Sequence, residues 1–222
     1  MAESENIPYP LLLTDCSAPG VRVGLLCQNG WLAYENRTGE TGAALFQVVK
    51  ELLSKAKLGL EDIQAFGYCE GPGSTLGIRI NAMALRTWVS LSVEPKPVFA
   101  YRSLEAAAIL IKQTKTPGTD FSILSDLRKN SWNGAIVTDQ AQKPEIGRVT
   151  IDELKDWPKP RYFIQQRIHS PGLPPGSEQI EYDLELIGTN PAFLNLLRPV
   201  EQANVFQTTT TDFKKWTPSR HR

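Results

Sequence analysis

Three short apolar runs stand at the head of this sequence before any helical stripe begins, and that order limits what the chain can fold into. Leu11 to Asp15, Val21 to Cys27 and Trp31 to Asn36 are separated by Ser-Ala-Pro-Gly and by Gln28-Asn29-Gly30. Asn-Gly between apolar runs is a strong hairpin signal, so the three runs predict an antiparallel meander. The period then changes. From Thr41 to Lys57, Leu45, Val48, Val49, Leu52 and Ala56 share one helical face, widened by Phe46 and Leu53. There follow a strand Ile63 to Tyr68, a helix Ser74 to Leu91, a strand Val98 to Tyr101 and a helix Leu104 to Lys115 with Ser103 as its N-cap. Helical crossovers between strands imply parallel pairing beside the hairpins.

After Lys115 the composition shifts, ten of the 16 prolines lying in residues 116 to 222, and Lys-Thr-Pro-Gly-Thr reads as a junction. Phe121 to Asp126 and Asn133 to Asp139 restart a hairpin, and Thr150 with Glu153 forms a capping box for a short helix to Trp157. Strands Tyr162 to Gln165 and Ile180 to Leu184 flank a Pro/Gly loop, and a helix Pro191 to Leu197 is capped by Asn190. The second half reads as a reduced copy of the first. A meander followed by α-crossovers predicts an α/β protein of the two-lobed actin-like ATPase (ASKHA, ribonuclease H-like) fold, with residues 1–115 as first lobe and 116–222 as the smaller second.

With 41% apolar residues in 222 the chain has material for a real core, and 24 basic against 24 acidic side chains give no whole-chain attraction to nucleic acid or anionic membrane. The early apolar run Leu11 to Leu13 follows Glu3 and Glu5, not basic residues, so neither a signal peptide nor a membrane span is expected. Cys16, Cys27 and Cys69 form no C-x-x-C pair, which suits reduced thiols in cytoplasm.

Glu70-Gly-Pro-Gly-Ser-Thr-Leu-Gly-Ile-Arg-Ile80 resembles the TsaB (YeaZ) family, as do Leu11 to Leu26, Glu51 to Tyr68, Ser103-Leu-Glu-Ala-Ala-Ala108 and Ser125-Asp-Leu-Arg-Lys-Asn-Ser-Trp132. The resemblance covers residues 9 to about 135. It implies a non-catalytic subunit that pairs, through helices of its first lobe, with the TsaD-type subunit that transfers a threonylcarbamoyl group to tRNA adenosine. It further implies a TsaE-type ATPase as partner, tRNA contact only through the complex, homodimers when alone, and no cofactor of its own beyond ATP or ADP at a partner interface. Two departures stand out: the family's His-Ser-Glu falls here on Thr41, Gly42 and Ala43, and its Asp-Thr-Ser on Asp15, Cys16 and Ser17.

The candidate ligand cleft comprises Asp15, Ser17, Gly71, Gly73, Ser74, Asp126 and Arg128. Asp15 and Asp126 end equivalent strands and can face each other across a cleft as nucleotide or ligand carboxylates, or each can cap a turn with its own side chain. Gly71, Gly73 and Gly77 lack the following Lys of a phosphate loop and the spacing of a dinucleotide fingerprint. They suit a sharp corner, with Ser74 capping the helix, or a ligand contact. The candidate partner face comprises Leu45, Val49, Leu52, Leu76, Arg79, Ile80, Met83 and Trp88, because apolar residues encircle the Leu76 to Leu91 segment and a helix apolar all round is covered all round. Leaving three such side chains in water forfeits roughly 1.5–3 kcal/mol each; deep packing within this chain is the alternative cover. No metal site is expected, since the histidines are only His169 and His221. Lys214, Lys215, Trp216, Arg220 and Arg222 can touch RNA or form a solvated end. The competing function is a free-standing ATPase or kinase using Asp15 and Asp126; peptidase activity is a third, with no metal-ligand set or activated nucleophile behind it.

Overall fold

The computed structural model describes residues 7–139, 143–170 and 172–209. The meander is present: β1 (Leu11–Asp15), β2 (Val21–Cys27) and β3 (Gly30–Arg37) pair antiparallel. Next come α1 (Thr41–Ala56), β4 (Ala65–Gly71), α2 (Thr75–Leu91), β5 (Val98–Arg102) and α3 (Ser103–Thr114). β4 lies parallel between β1 and β5, as the crossovers require. The second half supplies β6 (Phe121–Arg128), β7 (Ser131–Val137), β8 (Ile146–Thr150), β9 (Arg161–Ile164) and β10 (Ser177–Ile180), then the helical turns α4 (Leu184–Ile187) and α5 (Pro191–Leu194), and β11 (Arg198–Val200).

The first sheet runs β11-β5-β4-β1-β2-β3 and the second β10-β9-β6-β7-β8. Apart from β11, the second repeats the first strand for strand: meander, then two parallel additions on the far side of its first strand. The crossover helices of the first lobe have shrunk in the second, where a four-residue 3-10 turn, Glu153–Asp156, stands between β8 and β9. Its capping box forms, with Thr150 N–H donating to Glu153 at 2.7 Å and Glu153 N–H to Thr150 Oγ1 at 3.4 Å. One turn is all the box starts, because Pro158 and Pro160 follow directly.

Side chains of β1 alternate between two cores. Leu12 packs with α1 and α2 on one face of the first sheet, while Leu11 and Leu13 point to the other, where α3 lies between the sheets and touches strands of both. Burial on nearly every side explains the run Ala106-Ala107-Ala108: only small side chains let α3 approach two sheets at once.

Several expectations need correction. The second half does not stay wholly in the second lobe: β11 adds antiparallel to β5, so the first sheet is completed by residues 198–200. Ser103 is not a cap; its hydroxyl donates to the Pro72 carbonyl at 2.6 Å, tying α3 to the glycine corner. The strand placed at Ile180 to Leu184 lies earlier, at Ser177–Ile180, because Asp183 caps α4 by accepting from Glu185 and Leu186 N–H. The helix begun by Asn190 ends at Leu194.

Candidate functional site

The glycine corner is shaped by close backbone approach. Gly71 adopts φ +117, a conformation that side chains disfavour. A Cβ on Gly73 would lie 2.3 Å from the Ser17 carbonyl oxygen, and one on Gly77 2.2 Å from that of Cys16. The first turn of α2 therefore rests on the turn that follows β1. Ser74 N–H donates to Ser17 O at 2.7 Å, and Ser74 Oγ caps the helix by accepting from Gly77 N–H at 3.3 Å. Protein carbonyls thus occupy the ground on which a phosphate cradle would form.

Both candidate aspartates are buried, and each accepts three hydrogen bonds. Asp15 Oδ1 accepts from Ser17 N–H at 2.7 Å; Oδ2 accepts from the hydroxyls of Tyr101 at 2.7 Å and Tyr182 at 3.0 Å. Burial first, and the Asp15 charge second, push both phenols well up, so they stay protonated donors. Asp126 Oδ2 accepts from the N–H groups of Gln166 at 2.6 Å and Arg167 at 3.0 Å, and Oδ1 from Ser170 at 2.5 Å. The two positions correspond: Asp15 is the last residue of β1 and Asp126 lies two residues before the end of β6, each on the first strand of its sheet's meander. Asp15 caps its own turn through Ser17, whereas Asp126 instead holds the loop after β9, some forty residues on.

Between the lobes lies a cleft of about 410 Å³. Gly73, Asp126 and Arg128 of the sequence-derived set line it; Asp15, Ser17, Gly71 and Ser74 do not. It also takes in Arg79 from α2, Arg167 from the loop after β9, and Phe206. Sequence reading passed over Arg167 and Phe206. Phe206 arrives on a strap that follows β11: Asn204 N–H donates to the Tyr68 hydroxyl at 2.7 Å, Phe206 N–H to Glu70 O at 2.8 Å, and Thr208 Oγ1 to Asn133 Oδ1 at 2.6 Å. The strap thereby ties the first lobe to the second. Arg102 stacks on the Phe206 ring at 3.9 Å while its Nε donates to Glu70 at 3.0 Å, and Arg198 pairs with the same carboxylate. No local pattern announces these contacts, because each joins segments far apart in the sequence. The basic tail from Lys214 and His221 lie outside the described residues; His169 stands exposed in the loop after β9.

The eight partner-face candidates divide sharply. Leu45, Val49, Leu52 and Trp88 are buried in this chain's own core, facing the first sheet, so α1 and α2 bury their main stripes internally. Leu76 and Met83 are 67% and 64% exposed, Arg79 is exposed and Ile80 half-buried. Spaced at i, i+3, i+4 and i+7, these four form one outward stripe along α2. Phe46, 48% exposed on α1, sits edge-on to Trp88 at 5.8 Å and extends the apolar surface.

Among the described residues no three His, Cys, Asp or Glu side chains converge as a metal site, and no helix is long and apolar enough to cross a membrane. No protein-family model and no curated protein sequence matches the chain. Solved structures do. A Pseudomonas aeruginosa protein described as having similarity to peptidase YEAZ superposes with a TM-score of 0.66 at 18% identity, covering 90% of this chain and 99% of its own. YeaZ from Pseudomonas aeruginosa gives 0.63 at 18% identity, covering 89% and 98%. With its repeated strand order, the chain has the YeaZ fold, a two-lobed α/β architecture.

Proposed function

We propose that this protein is a non-catalytic subunit of the TsaB type, which supports a TsaD-type subunit in forming threonylcarbamoyladenosine on tRNA. The observation that carries the reading is the outward apolar stripe Leu76, Ile80 and Met83, joined by Phe46, on a chain with the YeaZ fold. Docking a partner helix there removes the cost of holding these side chains in water, and about 800 Å² per partner makes a stable interface. The same stripe serves a homodimer when the partner is absent. The TsaE-type ATPase and tRNA join through the assembled cytoplasmic complex, with ATP or ADP at the interface between subunits.

The competing ATPase or kinase reading needs carboxylates free to orient a metal–phosphate, whereas Asp15 and Asp126 each already accept three hydrogen bonds from protein groups. Peptidase activity, suggested by the word in one neighbour's description, lacks an evident nucleophile and base among the described residues.

Complementation gives the test. In bacterial cells depleted of their own TsaB and supplied with this protein together with the TsaD-type subunit of its own source, mass spectrometry of tRNA nucleosides is expected to show restored threonylcarbamoyladenosine. Unmodified tRNA despite soluble expression of both would overturn the reading.

A further inference from the structure

The inter-lobe cleft collects three arginines against one carboxylate, Asp126, among the described residues. Arg79 from the first lobe and Arg128 and Arg167 from the second all line it, and none of the three takes part in an ion pair among the described residues. Of the other described arginines, Arg37 pairs with Glu35 and Glu51, and Arg102 and Arg198 with Glu70, while Arg86 and Arg161 donate to protein carbonyls; what sets Arg79, Arg128 and Arg167 apart is that they share one concavity. The one carboxylate in the cleft wall, Asp126, already accepts from Gln166, Arg167 and Ser170 through both oxygens. In a chain with 24 basic and 24 acidic residues, three unpaired guanidiniums around one concavity are a local field, not an overall bias. The hydroxyls of Thr75 and Thr209 line the same walls, and Ile78 and Phe206 add apolar surface.

Arginines contributed to one cleft by both lobes suit a phosphate group, whose oxygens guanidinium forks bind by paired charge-assisted hydrogen bonds. About 410 Å³ suits a small molecule and not a folded partner. We propose that this cleft binds a small phosphate-bearing anion, gripped by Arg79, Arg128 and Arg167 without a metal ion. Metal independence follows from the walls: the carboxylate that would hold magnesium is occupied, whereas the cationic charge needed by the phosphates is supplied by the protein itself. Because the grip comes from both lobes, an occupant ties them together beside the strap. This inference goes beyond the pairing role and does not depend on it.

Titration calorimetry of the full chain with inorganic tripolyphosphate in EDTA tests it. One-to-one binding is expected, weakened by magnesium, which competes for the phosphate oxygens. Arg128→Gln and Arg79→Gln, both at exposed positions, are each expected to weaken binding about tenfold or more, while Arg148→Gln, exposed and outside the cleft, leaves it unchanged. ATP is the second arm. Equal affinity for ATP and tripolyphosphate supports a site that reads phosphate alone, and tighter ATP binding supports a nucleotide as occupant. Absence of binding at millimolar tripolyphosphate, binding that requires magnesium, or binding indifferent to Arg128→Gln would overturn the proposal.

Discussion

Asp15→Asn separates the two roles open to the carboxylate at the end of β1. In the folded protein its oxygens accept from Ser17 N–H, Tyr101 and Tyr182 at 2.7, 2.7 and 3.0 Å, and the side chain is fully buried. An amide keeps one acceptor oxygen but turns an N–H₂ group against one set of these donors. Each hydrogen bond to a charged group contributes about 1.5–3 kcal/mol, and bonds in one network do not add fully. The expected loss is therefore about 3–5 kcal/mol, which for a chain of this size lowers the thermal midpoint by about 6–20 °C. Tyr182→Phe removes one donor and leaves two, so its cost is about 1–2 kcal/mol. Urea and thermal unfolding followed by circular dichroism read both variants. An Asp15→Asn protein within about 0.5 kcal/mol of the parent would refute the structural assignment and return Asp15 to the list of ligand carboxylates.

Gly77→Ala sets a Cβ 2.2 Å from the Cys16 carbonyl and is expected to cost about 1–3 kcal/mol in urea unfolding, whereas Gly42→Ala in α1, whose nearest neighbour would be 3.8 Å away, gains up to about 1 kcal/mol. Burial raises the Glu105 carboxyl, with the nearby charges of Arg102 and Arg198 opposing, and its Oε2 has no hydrogen-bond partner. Its contribution to stability is therefore present below the ordinary carboxylate range and lost as pH rises through the folded value; Glu105→Gln is expected to melt higher than the parent at pH 7, with the difference closing below about pH 4. Phe206→Ala strips the strap of its ring against Arg102 and is expected to raise amide hydrogen exchange at Asn204 and in the β5–β11 pairing while leaving β6–β7 unchanged.

Where local pattern and tertiary demand agree, the sequence was readable. Asn29-Gly30 marked the β2–β3 hairpin, Leu45 to Leu52 the buried stripe of α1, and Gly71-Pro72-Gly73-Ser74 the corner before α2. Periodicity identified the apolar residues of α1 and α2 but not their direction. Leu45, Val49, Leu52 and Trp88 serve this chain's sheet, while Phe46, Leu76, Met83 and, at the end of α2, Leu91 remain outward and Ile80 is half-buried. The choice is made by the sheet's position beneath the helices, which no single helix encodes. The second lobe was harder to read because its crossovers are too short for a helical period. β8, with Gly147 and Arg148 interrupting its apolar positions, passed unrecognised, as did β11, whose three residues have no strand alternation. The role of Asp15 likewise depends on Tyr182, 167 residues away, a separation no motif spans.

Co-elution tests the central claim most directly. Expressed with the TsaD-type subunit from its own source and passed over a sizing column, the protein is expected to leave as a stoichiometric complex. Met83→Glu, at a 64% exposed position where folding stability changes by no more than about 0.5 kcal/mol, is expected to abolish that complex and leave a folded single chain. Separate elution of the two wild-type subunits, or a complex indifferent to Met83→Glu and to Leu76→Glu, would contradict the assignment of α2 as the docking face.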